Sequence, residues 1–314
     1  EPQMGEKAAV SRKERFSACN QSKDEIKLSK KAQKGQKNLS PLLDTFPLNP
    51  QQLGYLPLSV QKFFGYDCKK LCQESSNNKN LKLNTPCLLH KGVEKSENQS
   101  FLSCIADAYQ YHNNGSNITD VKIQSLPTKS ISEIKKTIVE KLTLDIFITL
   151  QNGVLIELFN KNTAENTAEN TAEKYKDTKL YDNLSADISK DKKFERYFNN
   201  VVNAFENFIA YINADDVVID YEYLWDFITA EGGLFGDGIN LIIIKSPNDD
   251  ITDKIELICP SNHYSTHSFD DKKDILILYN KGKYFEPIYK YTRKSKDLYD
   301  IKKLFSLSTI SKTM

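Results

Sequence analysis

At 314 residues, with 39% hydrophobic and 27% charged side chains, the chain carries enough apolar material for one substantial core or two small ones. A formal net charge of +1 excludes a bulk electrostatic attraction to nucleic acid or membrane; no window has the length and apolarity of a transmembrane span, and no stretch resembles a signal peptide. Six cysteines over this length are too sparse for a secreted disulfide scaffold, so the expectation is a chain kept reduced inside a cell.

Residues 1–40 hold ten Lys and Arg against five Asp and Glu, with almost no large apolar side chains. Such a segment buries too little surface to offset its chain entropy, so it reads as a disordered basic tail or linker whose local charge suits nucleic acid. The chain opens on Glu1 rather than Met, which reads as an excerpt from a longer polypeptide. Residues 41–84 read as an extended and helical N-terminal extension packing on the domain. Phe46-Pro47-Leu48-Asn49-Pro50 and Gly54-Tyr55-Leu56-Pro57 are stiffened by proline, and a short helix begins over Leu58 to Phe64. Cys68 and Cys72, with Cys87 and His90, invite a zinc reading. C-x3-C is not the usual knuckle spacing, however, and Cys87 and His90 lie on an apolar run, so the expectation is two buried thiols on a helix face and no metal.

Cys87-Leu88-Leu89 is a short apolar run, followed by a polar turn from Gly92 to Asn98. Phe101, Leu102, Ile105, Ala108 and Tyr109 then recur at helical spacing, with Asn98 or Ser100 placed to supply the N-cap oxygen. A hydroxyl or thiol on the first turn stands at the positive end of the helix dipole beside unpaired N–H groups, where thiol hydrolases place a nucleophile. A well-capped buried helix has the same appearance. Helices follow over Ser130 to Leu144 and, interrupted by Gly153, over Phe147 to Phe159. Asn162-Thr163-Ala164-Glu165 recurs three times through Glu173 and marks a surface insertion at about residues 160–190. Lys193 to Asn213 carries the strongest amphipathic pattern, and Tyr221 to Thr229 is a further helix.

The period then changes. Ile239-Asn240-Leu241-Ile242-Ile243-Ile244, Ile255 to Cys259 and Asp274 to Tyr279 read as strands, and Asn280-Lys281-Gly282-Lys283 turns into Tyr284-Phe285-Glu286-Pro287-Ile288-Tyr289. Residues 293–314 read as a C-terminal helical tail or linker. Helices first and strands last predict an α+β fold with helices packed on a mostly antiparallel C-terminal sheet.

That order resembles the ovarian-tumour (OTU) deubiquitinases, a papain-like cysteine protease family. Glu97-Asn98-Gln99-Ser100-Phe101-Leu102 falls on the family's D-G-N-C-L-F-like motif, and Tyr223-Leu224-Trp225 lies near its W-G-x-x-E-L-like helix. Ile239 to Ile243 looks like its following strand, and Ile275 to Ile288 like its closing hairpin. The resemblance covers about residues 85–292 and implies an OTU-like, papain-like fold. It also sets Ser100 where the family carries its nucleophilic Cys and Tyr284 where it carries its His. A serine without a base is a poor nucleophile, and tyrosine, with a pKa of about 10, is no general base at neutral pH. The implied molecule is a non-catalytic scaffold or interaction domain. An alternative keeps a cysteine peptidase or deubiquitinase by pairing Cys104 (or Ser100) with His263. Cys104, one turn deeper among Phe101, Ile105 and Ala108, reads instead as a buried, inert thiol, and His263 as a loop histidine.

Gly54-Tyr55-Leu56-Pro57, Asn98 to Leu102, Ile258 to Ser265 and Tyr284 to Tyr289 are also similar to an uncharacterised region of large proteins in giant, nucleocytoplasmic large DNA viruses. This likeness implies association with virion structure or the viral transcription apparatus, in the virion or the host cytoplasm (viral factory). It further implies viral or ubiquitin-like protein partners. No cofactor is expected: Glu231-Gly232-Gly233-Leu234-Phe235-Gly236-Asp237-Gly238 precedes a strand and lacks the Lys-Ser/Thr pair of a phosphate loop.

Overall fold

Two isoleucine-rich runs form the middle of the sheet. In the computed structural model, which describes residues 42, 45–75, 78–112, 117–126, 128–160, 172–247, 254–258 and 269–309, β6 (Asn240–Ser246) lies parallel to β8 (Ile275–Lys281). Ile243, Ile244 and every residue from Ile275 to Tyr279 are 2% exposed or less, as a strand covered on both faces requires. β9 (Tyr284–Arg293) is the longest strand and the hub. One of its edges pairs with β4 (Pro86–Lys91), and the other pairs first with β8 and then with β10 (Tyr299–Lys302). Pro287, which has no N–H to donate, falls where the β4 and β8 ladders both end.

The remaining strands extend this core. β1 (Leu53–Tyr55) adds to β4, β5 (Asn117–Val121) to β10, and β7 (Glu256–Ile258) to β6. The order is β1-β4-β9-β8-β6-β7, and among these described strands only β6 and β8 run parallel. β2 (Gln73–Ser75) and β3 (Asn78–Leu81) form a separate hairpin. Nine α-helices lie among the described residues: α1 (Leu58–Phe63), α2 (Cys68–Cys72), α3 (Ser100–Tyr109), α4 (Ile131–Lys141), α5 (Leu144–Phe147), α6 (Val154–Phe159), α7 (Lys179–Ile188), α8 (Lys192–Asn213) and α9 (Tyr221–Thr229). The molecule is therefore α+β with a mostly antiparallel sheet, and Pro41–Met314 clusters as one unit.

Local chemistry explains the helices. Ser130 and Glu133 close a capping box at the start of α4. On α8, Phe198, Val201, Val202, Phe205, Phe208 and Ile212 are buried at 3/4 spacing, and Phe208 meets the rings of Phe147 and Phe159 at 5.4 and 4.9 Å. α3 is different. Nine of its ten residues are buried, and it packs directly on β9.

Two expectations change. The sheet is not confined to the C-terminal part, because the Cys87-Leu88-Leu89 run is β4, an interior strand whose polar ends His90 and Lys91 are buried with charged partners. The segment after residue 293, expected to be a helical tail or linker, holds β10. Tyr299 and Ile301 alternate with more exposed neighbours at strand period, and Lys303, Leu304 and Phe305 are buried behind them. Within the expected surface insertion, residues 179–188 form α7, capped by Thr178. Residues 1–40 and most of the tetrapeptide repeat lie outside the described residues.

One carboxylate joins these layers. Asp107 on α3 accepts from Lys91 Nζ of β4 at 2.5 Å, Lys303 Nζ at 2.7 Å and the Tyr289 hydroxyl of β9 at 2.9 Å, and all four residues are 3% exposed or less. Burial pushes the Asp107 carboxyl up, but the charges and hydrogen bonds of Lys303 and Lys91 outweigh it and hold the group well below the usual carboxylate range. Burial pushes the Lys303 ammonium down to about 7, against the pull of Asp107 and with added repulsion from Lys91. Replacing Asp107 by Asn leaves two buried ammonium groups facing a neutral amide. A loss of about 3–5 kcal/mol is expected, read as a lower urea midpoint at unchanged slope. The unfolded chain keeps the Lys303 proton up to the ordinary lysine value of 10.5, whereas the folded chain releases it at about 7. Within that window the unfolded state binds more protons, so stability rises with pH. Urea titrations between these pH values should show that rise, and Lys303→Met should flatten it.

Candidate functional site

Ser100 opens α3 and is 3% exposed. Its hydroxyl donates to the Lys283 carbonyl at 3.0 Å and accepts from the Phe285 N–H at 3.1 Å. Those backbone groups flank Tyr284, so the two positions singled out from the sequence meet at the start of β9, joined through main chain. Tyr284 itself is half-buried. Phe101 seals the junction, its ring 5.5 Å from that of Phe285 and 6.3 Å from that of Tyr221. Glu97 is exposed and pairs at 3.4 Å with the equally exposed Lys283, a contact of little energetic weight.

The expected N-cap changes. Gln99 occupies it without a side-chain capping bond. Its amide donates instead to the Ala214 and Val217 carbonyls at 2.8 and 3.1 Å, and the Asn98 amide donates to the Asp216 carbonyl at 3.2 Å. Neither Asn98 nor Ser100 caps the helix, because each is held by a neighbouring loop or strand.

Cys104 lies one turn deeper on α3 and is fully buried. Burial pushes its thiol well up, and the nearby Glu286 and Asp107 carboxylates add to the shift. A thiol in that state is protonated and screened from substrate. Its expected partner His263 lies outside the described residues.

The other face of the sheet holds a second buried pair. Side chains alternate along β9, so Phe285 faces α3 while Glu286 faces away. One Glu286 oxygen accepts from the Leu48 N–H, and the other meets His90 Nδ1 from β4. His90 and Glu286 are 1% and 2% exposed. A Cβ built on Gly54 would fall 2.3 Å from His90 Nε2, so the imidazole fits only because β1 carries a glycine there. Cys72 and Cys87, weighed above with His90 as metal donors, are joined as a disulfide that ties α2 to β4, their Cα atoms 5.7 Å apart. This bond departs from the reduced pair expected on one helix face. Only Cys68 stays a free thiol there. Its Sγ lies 3.6 Å from the Leu88 carbonyl, and burial, aided by the Asp67 charge, pushes it up to about 11. Among the described residues no three His, Cys, Asp or Glu side chains gather as a metal site.

The sequence reading missed Lys91, Asp107 and Lys303, named Glu286 and Tyr289 only inside a motif, and weighed His90 only as a metal donor. The available signal was a polar residue on an otherwise apolar face, such as Asp107 between Ala106 and Ala108, since a buried polar group is more informative than a buried apolar one. Comparison with protein-family models, curated proteins and solved structures finds no match. Among the described residues no helix is long and apolar enough to cross a membrane.

The Ser100 hydroxyl is therefore a clasp between α3 and the β8–β9 hairpin. Ser100→Ala strips the part-buried Lys283 carbonyl and the buried Phe285 N–H of their partner. A cost of about 1–3 kcal/mol is expected in chemical denaturation, and Ser100→Thr, which keeps the hydroxyl, should recover part of it.

Proposed function

We propose that the chain is a non-catalytic, OTU-like interaction domain, a papain-like body whose nucleophile position has become structural. The observation that carries this reading is the pair of Ser100 hydrogen bonds to the backbone on either side of Tyr284. The hydroxyl proton is committed to a carbonyl, which is no base, and the residue between the two contacts is a tyrosine. An active Ser or Cys hydrolase needs an imidazole or equivalent base within hydrogen-bond reach of its nucleophile. The full burial and raised pKa of Cys104 weigh against the peptidase alternative. On this reading the domain offers its folded surface to protein partners, viral or ubiquitin-like, as part of a large viral structural or transcription-associated protein.

The test is hydrolysis of a fluorogenic ubiquitin substrate and of ubiquitin dimers by the intact chain. No turnover above that of Ser100→Ala is expected. Turnover that disappears in Ser100→Ala or Cys104→Ala overturns the reading. A second arm checks the geometry. Adding Tyr284→His to Ser100→Cys should speed iodoacetamide alkylation of the new thiol at about pH 6.5, because an adjacent imidazole holds a thiol as thiolate. Equal rates for the single and double variants would mean that positions 100 and 284 do not form a degenerate catalytic pair.

A further inference from the structure

We propose that Lys290 and Lys302, paired across β9 and β10 on the face of the sheet turned away from α3, hold a phosphate dianion. The register sets them in one line. Leu88 of β4 lies opposite Lys290, Lys290 opposite Lys302 of β10, and Lys302 opposite Asn117 of β5. Residues directly opposite in antiparallel strands share a face, with Cβ atoms about 4.5–5.5 Å apart. Which face follows from their neighbours. Tyr289 and Lys303 both reach Asp107 on α3, so Lys290 and Lys302, each one position away, turn to the other side. Across four strands the line therefore reads leucine, lysine, lysine, asparagine.

Like charges directly opposite one another destabilise a sheet, so a pair held in register calls for a counter-charge. The fold supplies none. Both lysines are half-buried, and among the described residues neither side chain forms a hydrogen bond or an ion pair. Lys82, Lys129, Lys245 and Lys273, also half-buried, each reach an acceptor: the Lys70 carbonyl, the Thr137 hydroxyl, Glu256 and the Thr229 carbonyl. The acid two residues along β10 is engaged elsewhere. Asp300 accepts from the Asp120 N–H at 3.1 Å and pairs with Lys294 at 3.1 Å. Burial, with the repulsion of Lys302 added, pushes the Lys290 ammonium down. An anion seated between the two ammonium groups removes that repulsion. A carboxylate cancels one of the two charges. A phosphate dianion cancels both and offers an oxygen to each, with the Asn117 amide at the end of the line as a further donor.

Free phosphate and a phosphate ester share this chemistry. The probes are inorganic phosphate and glycerol 2-phosphate, titrated separately into the full chain at constant ionic strength and about pH 8, where both are dianions. Acetate serves as the monoanion. Binding is followed by calorimetry and by the ¹³Cε shifts of lysine. The expected result is saturable phosphate binding that shifts two lysine signals, with acetate weaker by about tenfold or more. One of the two signals should be missing from Lys290→Gln and the other from Lys302→Gln, and either variant should lose about tenfold in affinity. In chloride, where the repulsion is uncompensated, each variant should melt at a higher temperature than the unsubstituted chain. Tighter binding of glycerol 2-phosphate assigns the site to an ester, and tighter binding of inorganic phosphate assigns it to the free ion. Absence of saturable binding overturns the proposal, as does acetate binding as tightly as phosphate. Binding that survives both substitutions undiminished would be an adventitious ion only, and a lower melting temperature in chloride would mean that the pair serves the fold; either overturns it as well. None of these results bears on the hydrolase test at Ser100, which concerns the α3 face.

Discussion

The fold turns on how a single carboxylate is shared. Asp107 stands in the middle of a helix buried almost all round, and it is reached by Lys91 from β4, Tyr289 from β9 and Lys303 from the segment after β10. Two ammonium groups on one carboxylate leave an excess positive charge in a dry interior, which is costly unless the surroundings neutralise it. Three features do so. Lys303 gives up its proton readily, its Nζ also donates to the Asp107 carbonyl at 2.9 Å, and it lies 4.1 Å above the Tyr111 ring, whose face attracts a cation. The same contacts bring four distant parts of the chain to one point, so helix, sheet and C-terminal segment cannot separate without exposing a charge to an apolar core.

The two buried acids also fix register. His90 and Lys91 are neighbours on β4 and face opposite sides of the sheet, one to Glu286 and the other to Asp107. A slip of one residue would exchange their faces, setting a lysine under Phe46 and an imidazole against α3. Apolar strands tolerate such slips more easily than strands that must present a particular cation to a particular acid. The Leu48 N–H on the second Glu286 oxygen carries this specification outward, because it pins the N-terminal extension to the strand already fixed from the inside.

What could be read from the sequence follows from how local each signal is. α9 is legible residue for residue from its apolar period, α8 to within one residue, β6 and β8 from isoleucine-rich runs, and β9 from the hairpin turn that precedes it. β4 and β10 were not, because their strand character is shown by partners rather than by composition. The His90-Lys91 end of β4 looks like a polar boundary until Glu286 and Asp107 are known to meet it. The candidate site divides in the same way. The motif that placed Ser100 and Tyr284 is local, and their shared hydrogen bonds span 183 and 185 positions yet link the two residues' immediate surroundings. Lys303 meets Asp107 across 196 positions, and no window of sequence contains both.

The chemistry at Ser100 shows how a hydroxyl at the start of a buried helix serves as a structural tie. A serine at the first turn of a buried helix, against a hairpin, has one proton to donate and lone pairs to offer, and here the Lys283 carbonyl takes the first and the Phe285 N–H the second. Attack on a substrate carbonyl requires that the proton leave to a base as the bond forms, and a main-chain carbonyl cannot take it. It also requires free N–H groups to meet the developing oxyanion, whereas the Phe285 N–H is already engaged by the hydroxyl itself. The arrangement that closes α3 onto β9 thus engages both the hydroxyl proton and a hydroxyl lone pair in main-chain hydrogen bonds. The Phe101, Phe285 and Tyr221 rings pack against one another over the junction and cover the clasp.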